Sequence, residues 1–286
     1  MRLALLLAAA ISAAMRTATP VAPVGPLAGP AASKAKRLVI VDAGHGGPDN
    51  GMHGPIGGKF KILEKDITLS VSKRLAHTLE ERGMDVVMTR TTDTLIALSD
   101  RGRIANQRKG DLFISIHVNA ANPGWKDPGG ARGFETYFLA EAKTEDAKRV
   151  AQMENDVVRF ETSNGPAPSD DALGFILNDM AQNEHLRESS DLAELIQERL
   201  GKFHPGPSRG VKQAGFRVLV TAYMPAVLVE IGFGTNPAEA AYINSAAGQE
   251  KISNAVADAA VAYLARYERR RGSAGAGTTA TVARKQ

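Results

Sequence analysis

Leu38-Val39-Ile40-Val41-Asp42-Ala43-Gly44-His45-Gly46-Gly47 is a β-branched run that stops at a glycine-flanked histidine. A second run, Leu112-Phe113-Ile114-Ser115-Ile116-His117, ends the same way. Each reads as a buried strand that delivers an imidazole to its carboxyl end, where open parallel sheets collect their ligands. A third run, Ala226-Val227-Leu228-Val229-Glu230-Ile231, carries a glutamate into Gly232-Phe233-Gly234, and Glu64 opens the periodic segment between the two histidines. Imidazole is the commonest metal ligand. A hydrolytic zinc site keeps three protein ligands and an open position, and His45, Glu64 and His117 meet that requirement without a thiolate.

Working outward, apolar strands alternate with amphipathic segments from about residue 37 to 266. That alternation predicts an α/β fold, a single domain with a mostly parallel twisted sheet flanked by helices. Ile67, Val71, Leu75 and Leu79 recur at helical spacing and predict a helix from Glu64 to near Gly83. A strand at Asp85 to Thr89 and a helix near 99–108 follow, and Gly133 to Leu139 reads as an edge or half-buried strand. Residues 143–203 read as charged helix broken at Ser163-Asn164-Gly165-Pro166-Ala167-Pro168, too long a block for a simple crossover. Strands at Phe216 to Val220 and Ala226 to Ile231 and a helix from Pro237 to Tyr267 complete the reading.

The ends read differently. Met1-Arg2 ahead of the apolar run Leu3 to Ile11, with small residues at Ser12 and Ala14, predicts an export signal over residues 1–16. That run is shorter than the ~18 to 20 residues that span a bilayer, so no stable transmembrane segment is expected after processing. Residues 17–36, with Pro20, Pro23, Pro26 and Pro30, read as a Pro/Ala-rich linker, 37–268 as the catalytic domain and 269–286 as a disordered basic tail. The absence of cysteine removes disulfides and confines any metal to nitrogen and oxygen ligands. A net charge of +4 suits an acidic polymer, but no interleaved basic and aromatic surface of the kind that reads nucleic acid is present, which favours an anionic cell envelope.

His117 and Glu230 end almost wholly apolar strands, where an unpartnered imidazole or carboxylate is costly to bury. Glu230 must therefore be paired, protonated or metal-linked, and a carboxylate with raised proton affinity makes a good general base. Taken singly, His45 also reads as a loop histidine, and Glu64 as a carboxylate favoured by a helix N-terminus. His77, His53, His185 and His204 have no strand behind them. Glu154 sits in the stripe Ala147, Val150, Ala151, Val157, Val158; it reads either as a buried carboxylate in need of a partner or as a rim glutamate paired with Arg149 or Lys148 or left in solvent.

Val41-Asp42-Ala43-Gly44-His45-Gly46-Gly47, Glu64-Lys65-Asp66, Ser115-Ile116-His117-Val118-Asn119-Ala120 and Val229-Glu230-Ile231-Gly232-Phe233, in that order, resemble the zinc-dependent N-acetylmuramoyl-L-alanine amidases that cleave bacterial peptidoglycan. Departures such as Val118 and Gly234 touch no proposed ligand. The resemblance implies that His45, Glu64 and His117 hold Zn2+, that Glu230 is the catalytic carboxylate, and that the enzyme is exported to the periplasm or cell envelope. Asn119 is a candidate substrate-binding residue, or a turn residue closing its strand. Glu154-Asn155 resembles the segment that, in cell-division members of the family, occludes the site and offers a glutamate to the zinc. That likeness implies a helical regulatory insertion over about 143–185, released by an activator protein of the LytM-domain type. Lys212-Gln213-Ala214-Gly215-Phe216 also resembles a family run, with no role attached to it. Two other functions suit the same residues: a zinc peptidase cutting within the stem peptide, and a catalytically inactive wall-binding module.

Overall fold

The computed structural model describes residues 36–161 and 180–282, with side chains in the second stretch described for 185–270. The expected signal, most of the linker, the Pro/Gly break and the last four residues lie outside the described residues. In chain order the elements are β1 (Leu38–Ala43), β2 (His53–Gly54), β3 (Ile62–Leu63), α1 (Glu64–Glu81), β4 (Asp85–Met88), α2 (Leu98–Arg108), β5 (Leu112–Asn119) and β6 (Phe134–Leu139). They continue with α3 (Glu145–Asn155), α4 (Met180–Leu200), β7 (Ser208–Ala214), α5 (Arg217–Val220), β8 (Ala226–Phe233), α6 (Pro237–Asn244) and α7 (Ala246–Val282). Six strands form one sheet in the order β4-β1-β5-β8-β6-β7, and β2 and β3 pair separately as a short antiparallel ribbon. Within the large sheet every pairing is parallel except that of β6 with β8. The domain is therefore the mixed α/β fold that the alternation predicts.

Both faces of the sheet are covered, so its central strands carry apolar side chains on both sides. One core joins Val39, Val41, Ile114, Ile116, Val229 and Ile231 to α1, α4 and α7 through Val71, Leu75, Leu79, Leu192, Ile196, Val256 and Ala260. On the opposite face Ile40, Phe113, Leu228 and Tyr137 meet α3 and α5 through Val150, Ala151, Val218 and Leu219. Period-two alternation then places Asp42, Ser115, His117, Glu230 and Glu135 on this second face, further along the same strands. The face turns from apolar to ionisable within two residues per strand. It does so at the carboxyl ends of β1, β5 and β8.

Three sequence expectations are corrected. The strand expected at Phe216 to Val220 is a short helix, and the strand lies at Ser208–Ala214. An apolar run of four or five residues fits one buried helical turn as well as a strand, and Phe216, Val218, Leu219 and Val220 are indeed buried. Because β7 adds outside it, β6 is an inner strand, buried at five of its six positions. The helix expected from Pro237 to Tyr267 is two helices, broken at Ser245, and the second runs to Val282. Ser245 has an extended backbone (φ −80°, ψ 144°), and its hydroxyl accepts from the amide of Gly248 at the start of α7. It ends one helix and starts the next.

Candidate active site

His45 follows β1 in the left-handed region (φ 60°), which turns the chain sharply out of the sheet. The turn is held from beneath by two guanidinium groups. Arg101, 1% exposed, donates to Asp42 Oδ1 (2.9 Å) and to the carbonyls of Ala43 (2.7 Å) and His45 (3.0 Å). Arg90 donates to the carbonyls of Ala43 (2.9 Å) and Gly44 (2.8 Å). Gly44 is required by space rather than by torsion, since a β-carbon there would lie 2.5 Å from the ring of His117. A β-carbon on Gly51 would likewise fall 2.6 Å from Glu64 Oε2 and 2.7 Å from the His45 ring.

The other side chains reach the same point from separate elements. Glu64 is the first residue of α1, and its two carboxylate oxygens accept from the amides of Val118 (2.7 Å) and Met52 (2.8 Å). His117 comes from β5, and Glu154 descends from the last turn of α3. His45 Nε2 stands 3.0 Å from both Glu64 Oε1 and Glu154 Oε2; His117 Nδ1 stands 3.2 Å and 2.7 Å from the same two oxygens. One ligand atom from each of the four residues lies within 4.8 Å of every other. All four residues are buried. The outer nitrogen of His45, Nδ1, is 2.6 Å from Asp49 Oδ2, which orients the ring and leaves Nε2 facing the cluster.

His45 Nε2, His117 Nδ1 and both oxygens of Glu154 are buried without a properly angled hydrogen bond among the described residues. Buried polar atoms are rarely left so, and unpartnered atoms of His45, His117 and Glu154 that gather with one of Glu64 around a single point are the arrangement a cation satisfies. The donor set, two imidazoles and two carboxylates, suits a divalent metal and can hold one. Without such an ion the charges fall on the imidazoles. Burial pulls the His117 pKa down, but Glu154 and Glu64 outweigh it and push the value up to about 9. Burial likewise opposes ionisation of Glu64, yet His45 and His117 hold its pKa below the usual carboxylate range.

Glu230 is fully buried, in register with His117 on one side and with Glu135 on the other. Neither of its oxygens has a hydrogen-bond partner among the described residues. Burial raises its pKa well above the ordinary value, and the carboxylates of Glu154, Glu64 and Glu135 raise it further. Asn119 is buried in β5 rather than in a turn, and it donates to Glu135 Oε1 (2.5 Å).

Glu154 does not pair with Arg149; that guanidinium binds Asp146, one turn back on α3. Thr144 caps the helix by accepting from the amide of Ala147 (3.1 Å), and Asn155 pins its far end, donating to the Gly215 carbonyl and accepting from the Arg217 amide. Ala147, Val150 and Ala151 are buried beneath it. The cavity left beside His45, His117 and Glu154 is about 10 Å³, scarcely room for one water.

Against known proteins, the N-acetylmuramoyl-L-alanine amidase family matches residues 39–262. The chain belongs to that family. It is 34% identical over 234 residues to the N-acetylmuramoyl-L-alanine amidase AmiA of Escherichia coli K12, covering 81% of this chain and 78% of that protein. It is also similar to AmiC of Escherichia coli O6:H1, at 32% identity over 86% of this chain and 57% of the relative. Among solved structures, an N-acetylmuramoyl-L-alanine amidase from Clostridium difficile 630 superposes with a TM-score of 0.58 at 28% identity, over 80% of this chain and 97% of that one. AmiC2 of Nostoc punctiforme gives 0.57 at 27%, over 80% and 98%. The amidase is thus an enzyme of peptidoglycan, and its buried cluster stands at the end of the sheet where its strands deliver their ionisable residues.

His77 is exposed on α1 and His53 is exposed, while His204 is buried 4.8 Å from the Phe134 ring with Nε2 on the Ile231 carbonyl (3.0 Å). None of these joins the cluster. Asp49, Glu135, Arg101 and Arg209 all touch the site or its supports, and sequence reasoning assigned no role to any of them. Asp49 had one usable signal, its position four residues after His45 in a glycine-rich turn.

Proposed function

We propose that the amidase hydrolyses the amide between the lactyl group of N-acetylmuramic acid and the L-alanine of the stem peptide, using Zn2+ held by His45, Glu64 and His117. The observation that carries this reading is the convergence of one ligand atom from each of these three residues and from Glu154 on one point, with those of His45, His117 and Glu154 left without a hydrogen bond among the described residues. When bound, zinc supplies Lewis acidity, polarising the scissile carbonyl and acidifying water. Glu230, fully buried in register with His117 and with neither oxygen hydrogen-bonded among the described residues, takes the proton of the attacking water and returns it to the leaving amine nitrogen. Asp49 fixes the His45 ring, and the amides of Met52 and Val118 fix the Glu64 carboxylate, so that neither ligand must be reorganised during turnover.

In this reading Glu154 takes the fourth position in the resting enzyme, and α3 is a cover that excludes water and substrate. Two states follow, docked and released, and a partner that binds the released state shifts the balance. Such a device suits an exported enzyme of the periplasm or envelope that splits septal wall only where an activator of the LytM-domain type is present. No helix among the described residues is long and apolar enough to cross a membrane.

Metal analysis of the purified enzyme, coupled to mass spectrometry of digested sacculi, tests the chemistry. One zinc per chain and release of intact stem peptides with a free L-alanine amino group are expected. Fragments cut between amino acids would instead identify a peptidase, and no soluble product after removal of the α3 segment would leave only a wall-binding module.

A further inference from the structure

Behind Glu230, at the junction of β6, β7 and α3, lies a second charged cluster that the hydrolytic reading does not use. Glu135 is fully buried and binds Asn119, the Tyr137 hydroxyl (2.9 Å), Arg209 Nε (2.9 Å) and Lys212 Nζ. Arg209 and Lys212 come from edge strand β7, and both also face α3, where Asp146 Oδ2 lies 3.0 Å from Arg209 and 3.5 Å from Lys212. Aromatic rings back both cations: Phe233 lies 5.0 Å from the guanidinium and Tyr137 lies 5.9 Å from the ammonium.

The charge count changes with the position of α3. With the helix docked, two cations face two carboxylates, Glu135 from the sheet and Asp146 from the cover. Arg149 pairs with Asp146 on the same helix and leaves with it. Release of α3 therefore strips a carboxylate from Arg209 and Lys212 and leaves them with Glu135 alone, one positive charge in excess. That excess sits against aromatic rings and beside the strand position of Glu230. A guanidinium and an ammonium so placed match one further carboxylate.

We propose that Arg209 and Lys212 form the subsite for a free carboxylate of the stem peptide, and that Asp146 fills this subsite while α3 is docked. The proposal rests on the reading of α3 as a removable cover. Under it, α3 mimics the substrate at two points, presenting Glu154 to the ligand cluster and Asp146 to the specificity site. Arg209 and Lys212 are binding residues that set which stem peptides are accepted and in what position; they take no part in proton transfer.

The test uses the full-length, zinc-loaded Glu154→Ala enzyme and two soluble muropeptides that differ only in whether the stem-peptide carboxylates are free or amidated. A preference of about tenfold or more for the free acid, expressed in KM, is expected from a charge-assisted hydrogen bond. Arg209→Gln and Lys212→Met should each reduce the preference to about twofold while kcat changes little, and Arg209→Lys should keep most of it. Calorimetric titration of the released stem peptide should show the same loss of free-acid binding in Arg209→Gln. Equal rates on the two muropeptides in the parent, or an equal loss on both in the variants, overturns the subsite. Failure of Glu154→Ala to exceed wild-type activity would count against the cover alone, since the free-acid preference and its loss in Arg209→Gln can still be read from basal turnover.

Discussion

Replacing Glu154 by alanine separates the covering role of α3 from its folding role. The side chain is 3% exposed and makes two close contacts, 2.7 Å to His117 Nδ1 and 3.0 Å to His45 Nε2. Each contact marks one charge-assisted interaction of the carboxylate, with an imidazole that holds a proton or with the cation that replaces that proton when zinc is bound, worth about 1.5–3 kcal/mol. Part of that is offset by repulsion from Glu64, which opposes ionisation of Glu154. A net loss of about 3 kcal/mol from the docked state changes the ratio of docked to released helix about 150-fold. The rest of the anchorage, from Val150, Ala151, Asp146 and Asn155, is untouched, so the helix should still form. Dye release from labelled sacculi by zinc-loaded protein, without an activator, should therefore rise at least tenfold, toward a ceiling of about 150-fold. Glu145→Ala, which removes an exposed carboxylate from the first turn of the same helix, should stay within about twofold of wild type. A change of less than about threefold in Glu154→Ala, at equal zinc content and equal melting temperature, would refute the reasoning.

His45→Ala and His117→Ala should each lower bound zinc and abolish hydrolysis, because the loss of one of three ligands weakens the site; full activity in a chelator-treated His117→Ala protein would end the metal reading. Glu230→Gln should keep zinc and fold while turnover falls about 100-fold or more, the ordinary scale for loss of a general base; a fall of less than about threefold would remove Glu230 from that role. Asp42→Asn concerns stability alone. Burial opposes ionisation of Asp42, but Arg101, Ser115 and Thr89 outweigh it and hold its pKa below 3.8. A carboxylate depressed in the folded state contributes stability that is full above its unfolded pKa and lost as pH falls through the folded one. Urea unfolding should therefore show Asp42→Asn weaker by about 3 kcal/mol at pH 7, since Arg101 is left buried without its carboxylate, and the gap should narrow below about pH 3.8. An equal gap at pH 7 and pH 2 would exclude the charged pair as its origin.

The legible parts of this chain are those where burial alone dictates sequence. Strands β1, β5 and β8 lie inside the sheet with helices on both faces, so they had to be written as continuous apolar runs, and any ionisable residue within them stood out. That is why His117 and Glu230 were visible, and with them the end of the sheet that matters. Glu64 and His45 were weaker because a helix N-terminus and a glycine loop admit carboxylates and histidines for ordinary reasons. Strand β7 was missed for the opposite reason. Ser208-Arg209-Gly210-Val211-Lys212-Gln213-Ala214 is an edge strand, half-buried at five positions, and no pattern of hydrophobicity marks it. The neighbouring Phe216 to Val220 run drew the strand assignment because a buried helical turn and a buried strand of that length have the same composition.

The failure at β7 and the chemistry assigned to it have one cause. An edge strand shields itself from pairing with other chains by carrying charge and staying short, and this one carries Arg209 and Lys212. Charges at the rim of a sheet are usually solvated, yet here Arg209 is 27% exposed and Lys212 19%, because α3 lies over them and Glu135 sits beneath. Their burial thus depends on the same helix that brings Glu154 to His45 and His117. A helix held only by apolar contact would need a partner with a competing apolar face to lift it. One held at its two ends by carboxylates, Asp146 on a cationic pair and Glu154 on an imidazole pair, can also be displaced by anything that supplies those carboxylates better. The substrate carries carboxylates of its own. Docking of α3 and binding of the stem peptide then compete for the same cations, so that substrate concentration and activator act on one equilibrium rather than on two.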